Sequence, residues 1–368
     1  MNTRKRAGIW LARPSRFAGM PQARAQLYLA LLVLLIAYLA LIGDPALPSI
    51  AARIGDQTDM ALYHTVIDRV RHGEPYYTVV AELHRAGGYP LKPFFSVRLP
   101  TLAVVQAWLP HFVVRTLLWL LCLATVAAWI LRLRSVTPRW PPLALAGAAL
   151  IVAMVVNVQP GLDVFHESWA GPLIALSLAL RRPGQWTAAV ALGLSAMLIR
   201  ETALIYVAIM AVAALSDGQR REAAAWIAAT LVFGIAVAAH AQAVGRILEP
   251  LDAQSGGWFG VLGLGFVLSV ASLSTALGLL WQWLASSILV VSAFGWTAWR
   301  DPTASRAVAT IAGYVMLIAV CARSDHVYWV LMITPLLFLG LVFAVDGLRD
   351  MIVAARDTRR ITVTRVIR

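Results

Sequence analysis

Charge is scarce in this sequence. Only 13% of its 368 residues are Asp, Glu, Lys or Arg, 60% are hydrophobic, and the mean hydropathy is +0.75. A soluble domain carries charge on roughly a quarter of its residues, so a soluble globule is excluded. Cysteine is scarcer still: Cys122 and Cys321 are the only two, both inside apolar runs. That excludes a disulfide framework and a cysteine metal site. No polar stretch is long enough to form a separate soluble domain. No repeat of fixed period is evident, so an inverted-repeat transporter finds no support.

What is abundant is apolar sequence. Runs of about 15 to 20 apolar residues recur along the chain, and about 20 are needed to cross ~30 Å of hydrocarbon as a helix. They predict an all-α polytopic membrane protein, a single transmembrane domain over 1–368 with about ten transmembrane helices. The spans fall near 26–43, 112–131, 143–158, 168–180, 186–199, 202–215, 223–240, 275–298, 307–322 and 327–345. Arg200-Glu201 interrupts the apolar stretch 186–215, which is therefore read as two short spans. The stretch 258–299 is read as one span preceded by an interfacial helix.

Charge then sets orientation. A net charge of +13 would suit nucleic acid on a soluble protein, but here the basic residues sit beside apolar runs, and nucleic acid is set aside as a partner. Arg4, Lys5, Arg6, Arg13, Arg16 and Arg24 precede a first span that lacks a clear small-residue cleavage site and reads as uncleaved. With that end cytoplasmic, the inner stretches hold Arg132, Arg134 and Arg139; Arg181 and Arg182; Arg220 and Arg221; Arg300 and Arg306; and a tail with Arg349, Arg356, Arg359, Arg360, Arg365 and Arg368. All seven histidines and most acids fall outside. The expectation is a multi-pass protein of a bacterial-type inner membrane, both termini cytoplasmic, its chemistry on the periplasmic face. That face carries a large loop, 44–111. There Asp56 or Thr58 can cap a helix whose Met60, Tyr63, Ile67 and Val70 form a stripe and which Gly73 stops, an amphipathic helix lying on the membrane. A second short apolar stretch, Leu99–Leu109, lies between Pro100 and Pro110 and should also be interfacial.

Four clusters could carry chemistry. Asp59, with Asp56 second, could take a proton from an acceptor hydroxyl; the alternative is an N-cap and a first-turn acid favoured by the helix dipole. Asp163, His166 and Glu167 in NVQPGLDVFHESWAG could bind a metal, orient a sugar or simply cap the next span, and their spacing is no metal signature. Arg200 and Glu201 break thirty apolar positions, where ionisable groups face a cavity or each other. ARSDHVYW brings Arg323, Asp325, His326 and Tyr328 to the outer end of the last two spans, either to grip a phosphate with the arginine fork or to anchor at the interface.

Taken in order, these pieces resemble the GT-C superfamily of membrane glycosyltransferases, which use polyprenyl-phosphate-linked sugars. Asp59 stands where that family keeps its catalytic aspartate. SVRLPTLAVVQAWLP resembles its arginine-proline juxtamembrane segment, with Arg98-Leu99-Pro100 for the usual Arg-Pro-Pro, and HESWAGPL its acidic site. MLIRETALI resembles its charged break between short spans, and RSDHVYWVLMITPLL its late arginine-aromatic element. The resemblance covers roughly 26–215 and 323–345. It implies single-displacement transfer of a sugar from a polyprenyl-phosphate donor to a glycan or glycolipid acceptor in the cell envelope, with membrane lipids around it. Asp59 or Asp56 would be the base and Glu167 would ease charge at the sugar. Arg200 or Arg323 would bind the donor phosphate, and Asp163, His166, Glu201, His326, Tyr328 and Arg98 the substrates. No metal or other cofactor is required in principle, a divalent cation being the alternative. A transporter or flippase of lipid-linked saccharides is the competing class, since it too would need an outward cavity with buried Arg and Glu.

Overall fold

The computed structural model describes residues 8–41, 50–257 and 259–358, with the backbone alone for 41 and 50–58. Arg4, Lys5, Arg6 and the tail arginines Arg359, Arg360, Arg365 and Arg368 lie outside the described residues, as does the side chain of Asp56. The chain folds into helices throughout, and among the described residues extended pairing is limited to two isolated bridges. In order they are α1 (Gln22–Leu41), α2 (Ile50–Arg71), α3 (Tyr76–Gly87), α4 (Thr101–Trp108), α5 (His111–Arg134), α6 (Trp140–Met154), α7 (His166–Leu180) and α8 (Thr187–Ile199). There follow α9 (Leu204–Ser216), α10 (Arg220–Ile247), α11 (Gly263–Leu273), α12 (Gln282–Ala298), α13 (Pro302–Cys321), α14 (Thr334–Leu339) and α15 (Leu341–Ala355). Among the described residues, α1, α5, α10 and α13 are long and apolar enough to cross a membrane. The other elements read as spans are shorter or broken.

Polar contacts between the helix-connecting stretches gather at two ends of one bundle. At one end Arg132 donates to the carbonyls of Ala179 (2.9 Å) and Arg181 (2.6 Å) and to the Thr303 hydroxyl. Arg181 forks onto Glu222 at 2.7 and 2.9 Å, and Arg306 reaches Asp217 at 2.6 Å. The N-terminal segment docks here too, with the N–H groups of Trp10 and Leu11 on the buried Asp346 carboxylate at 2.8 Å. At the other end Gln106 donates to the Asp163 carbonyl (2.7 Å), Leu99 N–H to Glu201 (3.2 Å), and Arg85 to Asp252 (2.7 Å). Arg181 bonding Gln219 and Glu222 puts both ends of the α8–α9 hairpin at the basic end.

Three local expectations change. Helix α2 begins at Ile50, so neither Asp56 nor Thr58 is an N-cap; Ala51 and Ala52 are strong helix formers that carry the helix upstream. Its stripe does not lie bare on a membrane surface: Val66 and Ile67 pack with Val79, Val80, Leu91, Val97 and Val164 into a second small core. Gly73 does stop the helix, at φ 93°. Helix α11 is buried from Phe266 through Ser272 rather than lying on an open face, its Ser269 taking a bond from Gln282 at 3.1 Å. The last span is broken: Val327–Met332 is a 3-10 turn, α14 restarts at Thr334 with Pro335 in its first turn, and Gly340 divides it from α15, which runs on to Ala355. Proline lacks the N–H that would continue the ladder. A Cβ on Gly340 would stand 1.8 Å from the Ser292 carbonyl oxygen, so glycine allows α12 to cross there in contact.

Candidate functional site

Six elements meet at the acidic end. Asp59 and Tyr63 stand four residues apart on α2 and so share its inward face. Arg98 precedes α4 in a segment fixed by the Tyr76 hydroxyl, which donates to its carbonyl at 2.8 Å. His166 and Glu167 open α7, Arg200 and Glu201 form the break between α8 and α9, and Tyr328 and Trp329 lie in the 3-10 turn.

The floor is a buried charge cluster. Arg200 and Glu167 are 2% and 1% exposed, and Arg200 Nε stands 2.5 Å from Glu167 Oε1. Arg200 Nη1 donates to Glu201 at 3.3 Å, and its guanidinium lies 5.3 Å from the centre of the Trp329 ring. Removing one member of such a buried pair strands the other charge, at a cost of about 3–5 kcal/mol.

Above it lies a half-buried layer. The Tyr328 hydroxyl donates to Asp59 Oδ2 at 3.4 Å, and Tyr89 bonds the same carboxylate. Burial lifts the pKa of Asp59 above the usual aspartate value, while Tyr89 and the charge of Arg98 restrain the rise. Arg98 Nε donates to the Tyr63 hydroxyl at 3.4 Å, and its two terminal nitrogens hydrogen-bond to nothing among the described residues. His326 stacks on Trp329 at 4.3 Å and 8°, and burial pulls its pKa down to about 4, so the ring is neutral near pH 7. His166 lies edge-on to Tyr63 at 5.5 Å, with its buried Nε2 lacking a hydrogen-bond partner among the described residues. His166, Tyr63 and Arg98 line a cavity of about 20 Å³, room for one water.

Asp59, Glu167, Arg200, Glu201, Arg98, His166, His326 and Tyr328 are thus brought together. Arg323 is at the rim, 44% exposed and paired with Asp325 at 3.1 Å. Asp163 is turned away: its carbonyl serves Gln106 and Trp169, and it lines a separate recess with Arg115 and Trp119. Three groups were not assigned to the site from sequence, Tyr63, Tyr89 and Trp329. Tyr63 was recognisable, because position i+4 from a candidate base shares its face; Tyr89 and Trp329 reach the site through tertiary packing that spacing does not encode. Among the described residues no three His, Cys, Asp or Glu side chains gather closely enough to hold a metal ion. The chain matches no family model, no curated protein and no solved structure.

Proposed function

We propose that the chain is an integral-membrane glycosyltransferase of GT-C type that moves a sugar from a polyprenyl-phosphate donor to a cell-envelope acceptor. One observation carries this reading: Asp59, a half-buried carboxylate with a raised pKa, shares its cleft with Arg98, whose terminal nitrogens are uncommitted. A base and a phosphate fork are the two groups that single displacement needs. Asp59 accepts the acceptor's hydroxyl proton as that oxygen bonds to the anomeric carbon and the carbon–oxygen bond to phosphate breaks. The phosphate leaves with the electron pair, and Arg98 offsets its charge.

This moves the phosphate role from Arg200 and Arg323 to Arg98. Arg200 already answers Glu167 and Glu201, and Arg323 sits exposed beside Asp325. Arg200 supports the cleft from beneath, and Glu167 neutralises it rather than meeting the sugar. The distribution of arginine favours a cytoplasmic basic end with both termini there and a periplasmic site, reached by about ten crossings of an inner membrane. Exposed Trp108, Phe112 and Trp119 on the α4–α5 flank offer the donor a lipid-facing approach. The test is transfer by the purified chain in vesicles holding a labelled polyprenyl-phosphate sugar and glycan acceptors. Labelled glycan supports the reading; label that crosses the bilayer still attached to its lipid identifies a flippase instead.

A further inference from the structure

An open groove of about 670 Å³ lies at the basic end between α9 and α13, remote from Asp59. Its charged part is where α13 begins: Arg16, Arg300 and Arg306 border it, with Asp217 and Asp301. Its walls over the next turns are apolar, including Ile209, Ala309 and Val212, the last 62% exposed.

We propose that this groove binds an anionic phospholipid, its phosphate on the arginines and an acyl chain along α9 and α13. The guanidinium groups are held in place before any ligand arrives. Arg16 Nη2 donates to the Trp299 carbonyl at 3.1 Å, and Arg300 Nε donates to the Ser15 carbonyl at 2.9 Å, so each is fixed by the other's segment. Both residues are exposed, and Arg300 Nη2 also donates to the Ala18 carbonyl at 3.4 Å. Arg306 is buried, bonded to Asp217 at 2.6 Å and to the Pro302 carbonyl at 3.3 Å, and its Nε has no hydrogen-bond partner among the described residues. Both carboxylates are engaged, Asp217 with Arg306 and Asp301 with the Thr303 N–H at 2.8 Å. Three guanidinium groups against two occupied carboxylates leave net positive charge, in a fork geometry suited to phosphate. Basic residues beside a membrane-crossing helix attract the anionic headgroups of the leaflet they face, and α13 is long and apolar enough to cross. The apolar walls distinguish a lipid from free phosphate.

The experiment is native mass spectrometry of the full chain in detergent, with phosphatidylglycerol or phosphatidylcholine of the same acyl chains, and inorganic phosphate as a third arm. One phosphatidylglycerol should stay bound at collision energies that strip phosphatidylcholine. The double change Arg16→Gln with Arg300→Gln should lower its retention about tenfold or more, whereas Arg134→Gln with Arg182→Gln, basic positions outside the groove, should not. Val212→Trp, which fills the apolar part and keeps every charge, should also lower it, and it decides the matter if the double variant does not elute as a monodisperse species. Equal retention of both lipids, competition by inorganic phosphate at equal concentration, or unchanged retention in Val212→Trp overturns the proposal.

Discussion

Asp59 and Asp56 lie three positions apart on α2, and with the helix starting at Ile50 neither can owe its presence to capping. Asp59→Asn keeps the side chain's size and its bonds from Tyr328 and Tyr89, so the protein should fold, yet transfer should fall roughly 100- to 10,000-fold because asparagine accepts no proton at neutral pH. The pH profile gives a second readout. Burial raises the pKa of Asp59, so the acidic limb of the transfer rate should lie above the ordinary aspartate range, rate falling as pH drops through it. A limb at the ordinary value, or full activity in Asp59→Asn, removes Asp59 as base. Arg98→Lys keeps the charge but loses the two-pronged donor, and should cost most of the transfer, whereas Arg323→Lys should cost little, both measured as initial rates. The reverse ranking would return the phosphate to Arg323. Much of this cleft was legible from sequence, since Arg200 and Glu201 in an apolar stretch announce themselves by their desolvation cost. Their partners were not: Glu167 meets Arg200 across thirty-three positions, and no periodicity encodes that.

At the scale of elements, apolar runs located the helices well, because backbone groups in hydrocarbon must bond within their own segment. They failed where a helix is interrupted for packing. The tenth apolar run, 327–345, contains one proline and one glycine that read as tolerable in a membrane helix, but Gly340 and Gly295 approach each other so closely that a Cβ on Gly295 would stand 1.9 Å from the Gly340 carbonyl oxygen. Gly340→Ala should therefore destabilise the protein by about 1–3 kcal/mol, since backbone of α12 would have to move. Gly234, inside α10, is the contrast, since a Cβ there would meet no described atom within 4 Å beyond its own helix backbone, and Gly234→Ala should be neutral or stabilising by about 0.5–1 kcal/mol through helix propensity. Melting temperatures of the two variants in detergent check the pair. Equal melting would mean that α12 and α14 do not cross in contact.

For the whole molecule the two polar ends matter more than the span count. Arg132, Arg181 and Arg306 tie α5, α7, α10 and α13 together at one end, while Arg85, Gln106 and Leu99 N–H tie the loop segments at the other. Those bonds fix which stretches share an end but are silent on which end meets the cytoplasm; arginine excess predicts that it is the basic end, because basic flanks resist translocation. Gln254, beside Lys92 at the acidic end, and Arg356, just past α15 at the basic end, should accordingly lie on opposite sides of the membrane. A chain with Cys122 and Cys321 replaced by alanine would carry a single new cysteine, either Gln254→Cys or Arg356→Cys. A membrane-impermeant maleimide applied to intact spheroplasts should label the first, and should label the second only after lysis. Labelling of both in intact spheroplasts would mean the chain crosses an even number of times between them, against the bonded ends. The reversed pattern would keep the ends and invert the membrane, turning Asp59 toward the cytoplasm and excluding a periplasmic acceptor while leaving the chemistry of the cleft as it stands.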